Sequence, residues 1–252
     1  MRLLRKLRVA LTPRDRLLKT TLPSGAVVFG RNQPGYGGRG IYVFGDAIEA
    51  EFAHLGAFLE RGDVFVDVGA STGIYTMEAA MRVGPSGVVV AVEPFPGVYA
   101  TLEHNIRANG FTHVRPRSVC LGARNEPRTL WLNFGRPNLF STAYRAGDAP
   151  GLPVLAVALD DLLRREGLDR VAYVKIDAEG AEEEILAGAA NTIAHCRPIV
   201  QIEVSVRAFT PALPDYIGFQ GAGSPNAVYL PNEHAKLGVP ARLGWRPIPR
   251  GT

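Results

Sequence analysis

The sequence predicts an α/β domain, a mostly parallel central sheet with helices on both faces. Three observations carry that expectation. Val64-Phe65-Val66-Asp67-Val68-Gly69-Ala70-Ser71-Thr72-Gly73 reads as a buried strand running into a glycine-lined turn that opens a helix. Val88–Val92 is a second apolar run, and it ends in Glu93. Apolar runs then keep alternating with helix-periodic segments as far as Ile199–Val204.

Taken in order, residues 1–19 hold seven Lys/Arg and one acid, Asp15, which leaves 21 cations against 23 acids, a net of −2, in the rest of the 252 residues. The basic character therefore belongs to one end and not to the body. Leu3, Leu4, Leu7 and Leu11 share one face of a helix among those cations. The reading adopted is a helix docking its leucines on the core. Contact with an anionic membrane surface or an acidic partner is the alternative. Between Thr20 and Gly45 the β-like pieces Ala26–Phe29 and Ile41–Phe44 suggest a hairpin. Gly35–Gly40 lacks the strand and helix a phosphate loop needs, so it reads as a connector. Ala47–Glu60 reads as one helix with Phe52, Leu55 and Leu59 on one face.

After the strand at 64–68 come a helix around Ile74–Arg82, the strand 88–92 and a helix near Val98–Asn109. Val114–Val119 is a third strand, and Arg128–Leu132 and Val154–Ala158 are two more. Asp160 is placed as the N-cap of a short helix, Val171–Ile176 as an apolar strand ending at Asp177, and Glu182–Ala194 as a helix. Beyond Arg207 a proline-rich tail holds one β-like piece, Ala227–Leu230. The organisation expected is a single domain in three parts. Residues 1–45 form a basic helix and hairpin extension, 46–206 the cofactor-binding core, and 207–252 an extension completing the sheet and the acceptor site.

Composition is that of a globular protein, with 46% hydrophobic and 21% charged residues. The length suffices for a large buried core, and no apolar run approaches a membrane span. Cys120 and Cys196 make neither a disulfide framework nor a metal spacing; read as buried free thiols beside strands, they suit a reducing, cytoplasmic location. No basic stripe interleaved with aromatics supports a nucleic-acid partner.

The turn itself narrows the ligand. A dinucleotide turn needs G-x-G-x-x-G, whereas here the position two after Gly69 is Ser71. Asp67 is awkward beside a pyrophosphate but suits an ammonium and a cationic sulfur, as S-adenosylmethionine carries. Gly69, Ala70, Ser71 and Gly73 let the backbone approach such a ligand, and Glu93 is placed to accept bonds from both ribose hydroxyls. Pro94 and Phe95 form a stiff edge near the adenine, with Ser118 or Val119 beside it; Tyr75 is either a site residue or core. The rivals are an NAD-dependent oxidoreductase and a non-catalytic binding scaffold.

Acids at the strand ends supply candidate chemistry. Asp177 comes first for catalysis or acceptor positioning and also touches the cofactor site; Glu179 and Glu203 stand behind it. These three acids could also hold a hard divalent ion, although the spacing does not support a metal site. Glu182 is read as capping the helix that follows. His54 and His234 are alternative bases if the tail folds over the pocket.

The chain resembles the FkbM family of methyltransferases within the class I, Rossmann-like S-adenosylmethionine-dependent fold. The resemblance rests on Gly62–Gly73, Val92-Glu93-Pro94, Leu102-Glu103-His104-Asn105-Ile106-Arg107-Ala108-Asn109-Gly110 and Ala158-Leu159-Asp160-Asp161-Leu162. It continues through Val174-Lys175-Ile176-Asp177-Ala178-Glu179-Gly180-Ala181-Glu182, Leu186–Ala189 and Ile202-Glu203, with Ala227–Pro231 similar to the family's terminal strand. Ser71 departs from the family's usual Asn. The resemblance implies methyl transfer to a hydroxyl of a small molecule or sugar, a natural product or glycan. Acceptor choice is assigned to residues 20–45, Trp131–Tyr144 and the tail after Arg207.

Overall fold

In the computed structural model, the described residues are 2–33, 37–133, 140–143, 145–204, 211 and 213–249. Helix α1 (Arg2–Leu11) leads to the antiparallel hairpin of β1 (Leu17–Thr21) and β2 (Val27–Arg31), then helix α2 (Gly38–Phe44). A short helix α3 (Ala50–His54) lies between two single turns, Gly45–Ile48 and Leu55–Ala57. The alternating unit follows as β3 (Val64–Val68), α4 (Ile74–Val83), β4 (Val88–Val92), α5 (Pro96–Ala108) and β5 (Val114–Arg117). Next come β6 (Cys120–Leu121), β7 (Glu126–Leu132), β8 (Phe140–Ser141), β9 (Gly151–Val157) and helix α6 (Leu159–Glu166). The chain closes with β10 (Tyr173–Ile176), α7 (Glu182–Ala187), α8 (Ala190–Cys196), β11 (Ile199–Glu203), β12 (Tyr216–Gln220), β13 (Asn226–Pro231), α9 (Val239–Arg242) and β14 (Arg246–Pro247).

Eight strands build the central sheet in the order β14-β12-β13-β11-β10-β3-β4-β5. The five from β11 to β5 run parallel, and the three C-terminal strands add on antiparallel. Alternate residues of each strand enter opposite apolar layers. Phe65, Val89, Tyr173 and Ile199 belong to one; Val66, Val90, Val174 and Val200 belong to the other. Each such side chain, fully buried, contributes about 1.5–3 kcal/mol. The register sets the strand tips side by side, pairing Val68 with both Val92 and Ile176. Gly69, Glu93 and Asp177 therefore emerge at one edge.

Several expectations are corrected. Ile41–Phe44 is helical, because Gly38 lies directly on the backbone of Gly30 and Ile41 is buried in the core, so packing overrides β-propensity. The helix expected over Ala47–Glu60 is broken at Glu49, whose extended backbone (φ −144°, ψ 146°) turns its side chain towards Tyr75. Arg128–Leu132 and Val154–Ala158 do not join the main sheet; with β6 and β8 they form a separate four-stranded sheet, β6-β9-β7-β8. The helix expected over Glu182–Ala194 is divided at Gly188, which packs against the Gly122 carbonyl where a side chain would not fit. Asp160 does not cap its own helix. Its carboxylate accepts from the Asn191 and Thr192 backbone N–H groups and the Thr192 hydroxyl, capping α8 instead. Tyr216–Gln220 is a strand the sequence reading passed over, because Gly218 weakens its pattern; the glycine leaves room for the Tyr229 ring. Cys120 is buried on a strand, whereas Cys196 ends a helix and is half-buried; both are free thiols. Leu3, Leu4, Leu7 and Leu11 do not dock on the core and are all exposed.

Candidate active site

A cavity of about 380 Å³ opens at the tips of β3, β4 and β10, a size typical of ligand sites. Its floor is made by Val68, Gly69, Ser71, Val92, Glu93 and Pro94. Gln33, Gly37, Arg39, Gly40, Ile48 and Glu49 come from the N-terminal segment. The small sheet adds Cys120, Leu121, Leu130 and Phe140, and the loop after β10 adds Asp177, Ala178 and Glu179.

Gly69 is required by geometry. Its φ is +72°, and a side chain there would strike the Asp177 carbonyl oxygen. Ser71 is also left-handed, with φ 50°, a conformation that Asn adopts more readily than Ser. Glu93 is 6% exposed. Its two carboxylate oxygens accept the Ser71 and Phe95 backbone N–H groups at 3.0 and 2.9 Å. Burial pushes its pKa up to about 7, against the lowering effect of those two bonds. The side chain is thus held rigidly at the cavity edge, with lone pairs left for a ligand.

Beneath the floor lies a buried ionic cluster. Lys175, 3% exposed, sits 3.1 Å from Asp177 and 3.8 Å from Asp67, and 4.9 Å above the Tyr75 ring. Burial alone would lower the lysine pKa, but the Asp177, Asp67 and Glu49 carboxylates hold it above its ordinary value. Asp67 also accepts the Thr76 hydroxyl at 2.6 Å, tying α4 to the sheet. Burial raises the Asp67 pKa and Lys175 opposes that. Tyr75 donates to Glu49 at 2.5 Å and accepts from Gln201, which in turn accepts from Tyr173. Asn226 donates to Glu49 as well, at 3.0 Å. Glu49 is the cavity end of this chain, and burial raises its pKa.

Of the residues singled out from sequence, Gly69, Ser71, Glu93, Pro94, Asp177 and Glu179 line the cavity. Asp67 does not; it is buried beneath the floor, with this chain's own Lys175 3.8 Å away. Ala70 and Tyr75 lie in the apolar core, and Gly73 gives room to Leu102. Phe95 stacks on Phe140 with centroids 4.1 Å apart, and Phe140 rather than Phe95 reaches the cavity. Ser118 is exposed and Val119 packs into the second core, because β5 ends at Arg117; Cys120 and Leu121 take their place on the wall. The Cys120 thiol is pushed up to about 11 by burial, so it stays protonated. Glu203 ends β11 outside the lining.

Glu203, His54 and His234 fall away from the cavity. Asp177, Glu179 and Glu203 do not gather as a metal site: among the described residues no group of three or more His, Cys, Asp or Glu side chains does. His54 packs edge-on to Trp245, and His234 accepts the Lys236 N–H; neither lines the cavity. Glu182 accepts the Ala178 and Gly180 N–H groups and shapes the loop carrying Glu179, whose backbone is left-handed at φ 53°. The glycine-rich segment read as a connector provides Gly37 and Gly40 to the wall, and Gly37 packs on Thr72; residues 34–36 lie outside the described residues.

Glu49 and Lys175 were passed over. Lys175 and Asp67, each placed in an otherwise apolar strand, carried the signal, since buried opposite charges demand each other. Nothing local pointed to Glu49.

A parallel sheet with a glycine turn after its first strand, an acid at the tip of the next and a cavity above both defines a class I methyltransferase-type α/β fold. The sequence pattern of the methyltransferase FkbM domain matches residues 67–221. The chain belongs to that family. It is 26% identical over 171 residues to "Methyltransferase 1" of Beauveria bassiana, covering 56% of this chain and 68% of that one. The Escherichia coli protein yhhF shares the fold at 13% identity and a TM-score of 0.52, with 84% and 97% of the two chains covered. The FkbM methyltransferase of Methylobacillus flagellatus KT is 20% identical with a TM-score of 0.49 over 76% of this chain; the match spans about half, 53%, of that longer protein. Among the described residues no helix is long and apolar enough to cross a membrane.

Proposed function

We propose that the chain is an S-adenosylmethionine-dependent O-methyltransferase acting on a hydroxyl of a small molecule or sugar. The observation that carries this reading is the Glu93 carboxylate, oriented by two backbone N–H groups at the cavity edge beside the Gly69 turn. These residues fit an adenosyl cofactor: a carboxylate for the ribose diol, a backbone approach left open by glycine, and Val92, Pro94 and Val98 as an apolar edge. The bound cofactor supplies a methyl carbon made electrophilic by its sulfonium.

The remaining work falls to the protein's own side chains. Asp177 and Glu179 face the cavity from the loop after β10, where an acceptor hydroxyl must lose its proton. Asp177 is fixed by Lys175 and suits orientation of the acceptor. Burial, together with the charges of Asp177, Glu203 and Glu182, raises the Glu179 pKa to about 8, near the range a base needs. The apolar wall of Leu121, Leu130 and Phe140 favours an acceptor with a hydrophobic part.

Titration calorimetry with S-adenosylmethionine and with NAD tests the cofactor assignment. Binding of the first and not the second is expected, and Glu93→Ala should weaken it at least about tenfold, the worth of a hydrogen bond to a charged group. Unaltered affinity in that variant would return the chain to the non-catalytic reading. Transfer of a labelled methyl group to a panel of hydroxylated acceptors then tests the reaction.

A further inference from the structure

Helix α1 turns about 100° per residue, which places Leu3, Leu4, Leu7 and Leu11 within an arc of about 100°. Val9 lies nearly opposite that arc. Val9 is buried with Leu18 and Val43, whereas the four leucines are 57–79% exposed. The helix therefore sits on the body by its less apolar side. Arg5 donates to the Tyr42 carbonyl at 3.2 Å, Arg2 lies over the Phe44 ring at 5.9 Å, and Asn32 donates to the Val9 and Thr12 carbonyls. These contacts hold the leucine stripe outward. Lys6 and Arg8 border the stripe on its two sides and are exposed, as is Phe44 beside Arg2.

We propose that this face docks on an anionic lipid surface. The argument is charge complementarity joined to apolar exposure. Residues 1–19 carry seven cations and one acid. A leucine stripe flanked by cations is the arrangement by which a helix lies in the headgroup region, its apolar side chains below and its ammonium and guanidinium groups at the phosphates. An acidic protein partner would use the cations without needing four outward leucines. A second copy of this chain would bring the cations of two helices together. The helix packs on α2, whose Arg39 and Gly40 line the cavity, so docking would bring that wall close to the lipid surface.

Co-sedimentation of the full chain with phosphatidylcholine vesicles, with and without phosphatidylglycerol, tests the proposal, with sedimentation velocity recording the oligomeric state. Binding to the anionic vesicles is expected, falling with salt, and lost about tenfold or more with neutral lipid. Leu4→Gln with Leu7→Gln should reduce it at least about tenfold, and Lys6→Glu at least about fivefold. These positions are exposed, so each variant should melt like the parent. Absence of vesicle binding overturns the proposal. So does binding indifferent to the leucine substitutions, or a dimer in solution that those substitutions dissociate.

Discussion

Glu179 and Lys175 show how single residues set the charge at and beneath the cavity. Glu179 is protonated below its raised pKa of about 8 and becomes a base above it. Methyl transfer should therefore climb as pH rises through about 8, and Glu179→Gln should flatten that climb; an unchanged pH profile would remove Glu179 from the proton's path. Lys175 pairs with Asp177 and Asp67 from within the sheet. Lys175→Met keeps the volume but leaves Asp67 and Asp177 without a counter-charge. Removing one partner of a buried ion pair costs about 3–5 kcal/mol, which urea denaturation would report. Glu93 adds a linkage of its own. Its pKa is higher folded than unfolded, so it favours folding least when ionised. Its contribution should fall as pH rises from about 4.5 to about 7, and a Glu93→Gln variant should lose that part of the stability profile.

At the scale of elements, side chains from one segment hold another in place. Asn105 on α5 donates to the Phe29 and Thr72 carbonyls and accepts the Phe29 N–H, so one amide joins β2 to the glycine turn after β3. Asn105→Ala would leave those buried groups unpaired and cost about 2–3 kcal/mol. Asp160 works likewise from α6 across to α8. Asp160→Ala should destabilise by about 1 kcal/mol, a small fall in melting temperature with little effect on cofactor affinity. A large loss of affinity would mean that α8 positions the loop after β10. Of the parallel strands, β3, β4, β10 and β11 were legible because each is a largely apolar run bounded by turns, and burial on both faces demands that pattern. The breaks in helices were not. Glu49 leaves its helix for Tyr75, and Gly188 bends for Gly122; neither partner is near in sequence.

For the whole molecule, the cavity is a product of three parts: the main sheet, the small sheet and the N-terminal segment. A ligand that binds all three in the native state and none when unfolded should stabilise the whole, by about 2.7 kcal/mol at a hundredfold excess over its Kd. Thermal unfolding with S-adenosylmethionine would show the shift, and Glu93→Ala should cut it to about half or less at the same ligand concentration.

Half of the cavity edge was readable from residues alone. A glycine turn after an apolar strand and an acid at the next strand's tip are local patterns, and the chain's covalent order places them together. Asp177 and Glu179 were readable for the same reason, as acids where a strand gives way to a loop. The tertiary structure alone decided the rest. It paired Asp67 with Lys175 across neighbouring strands, brought Glu49 and Gly37 over the cavity, moved the wall from Val119 to Cys120 and Leu121, and turned four leucines outward. Those outcomes depend on which distant surfaces meet, and periodicity along one segment carries no information about its partner.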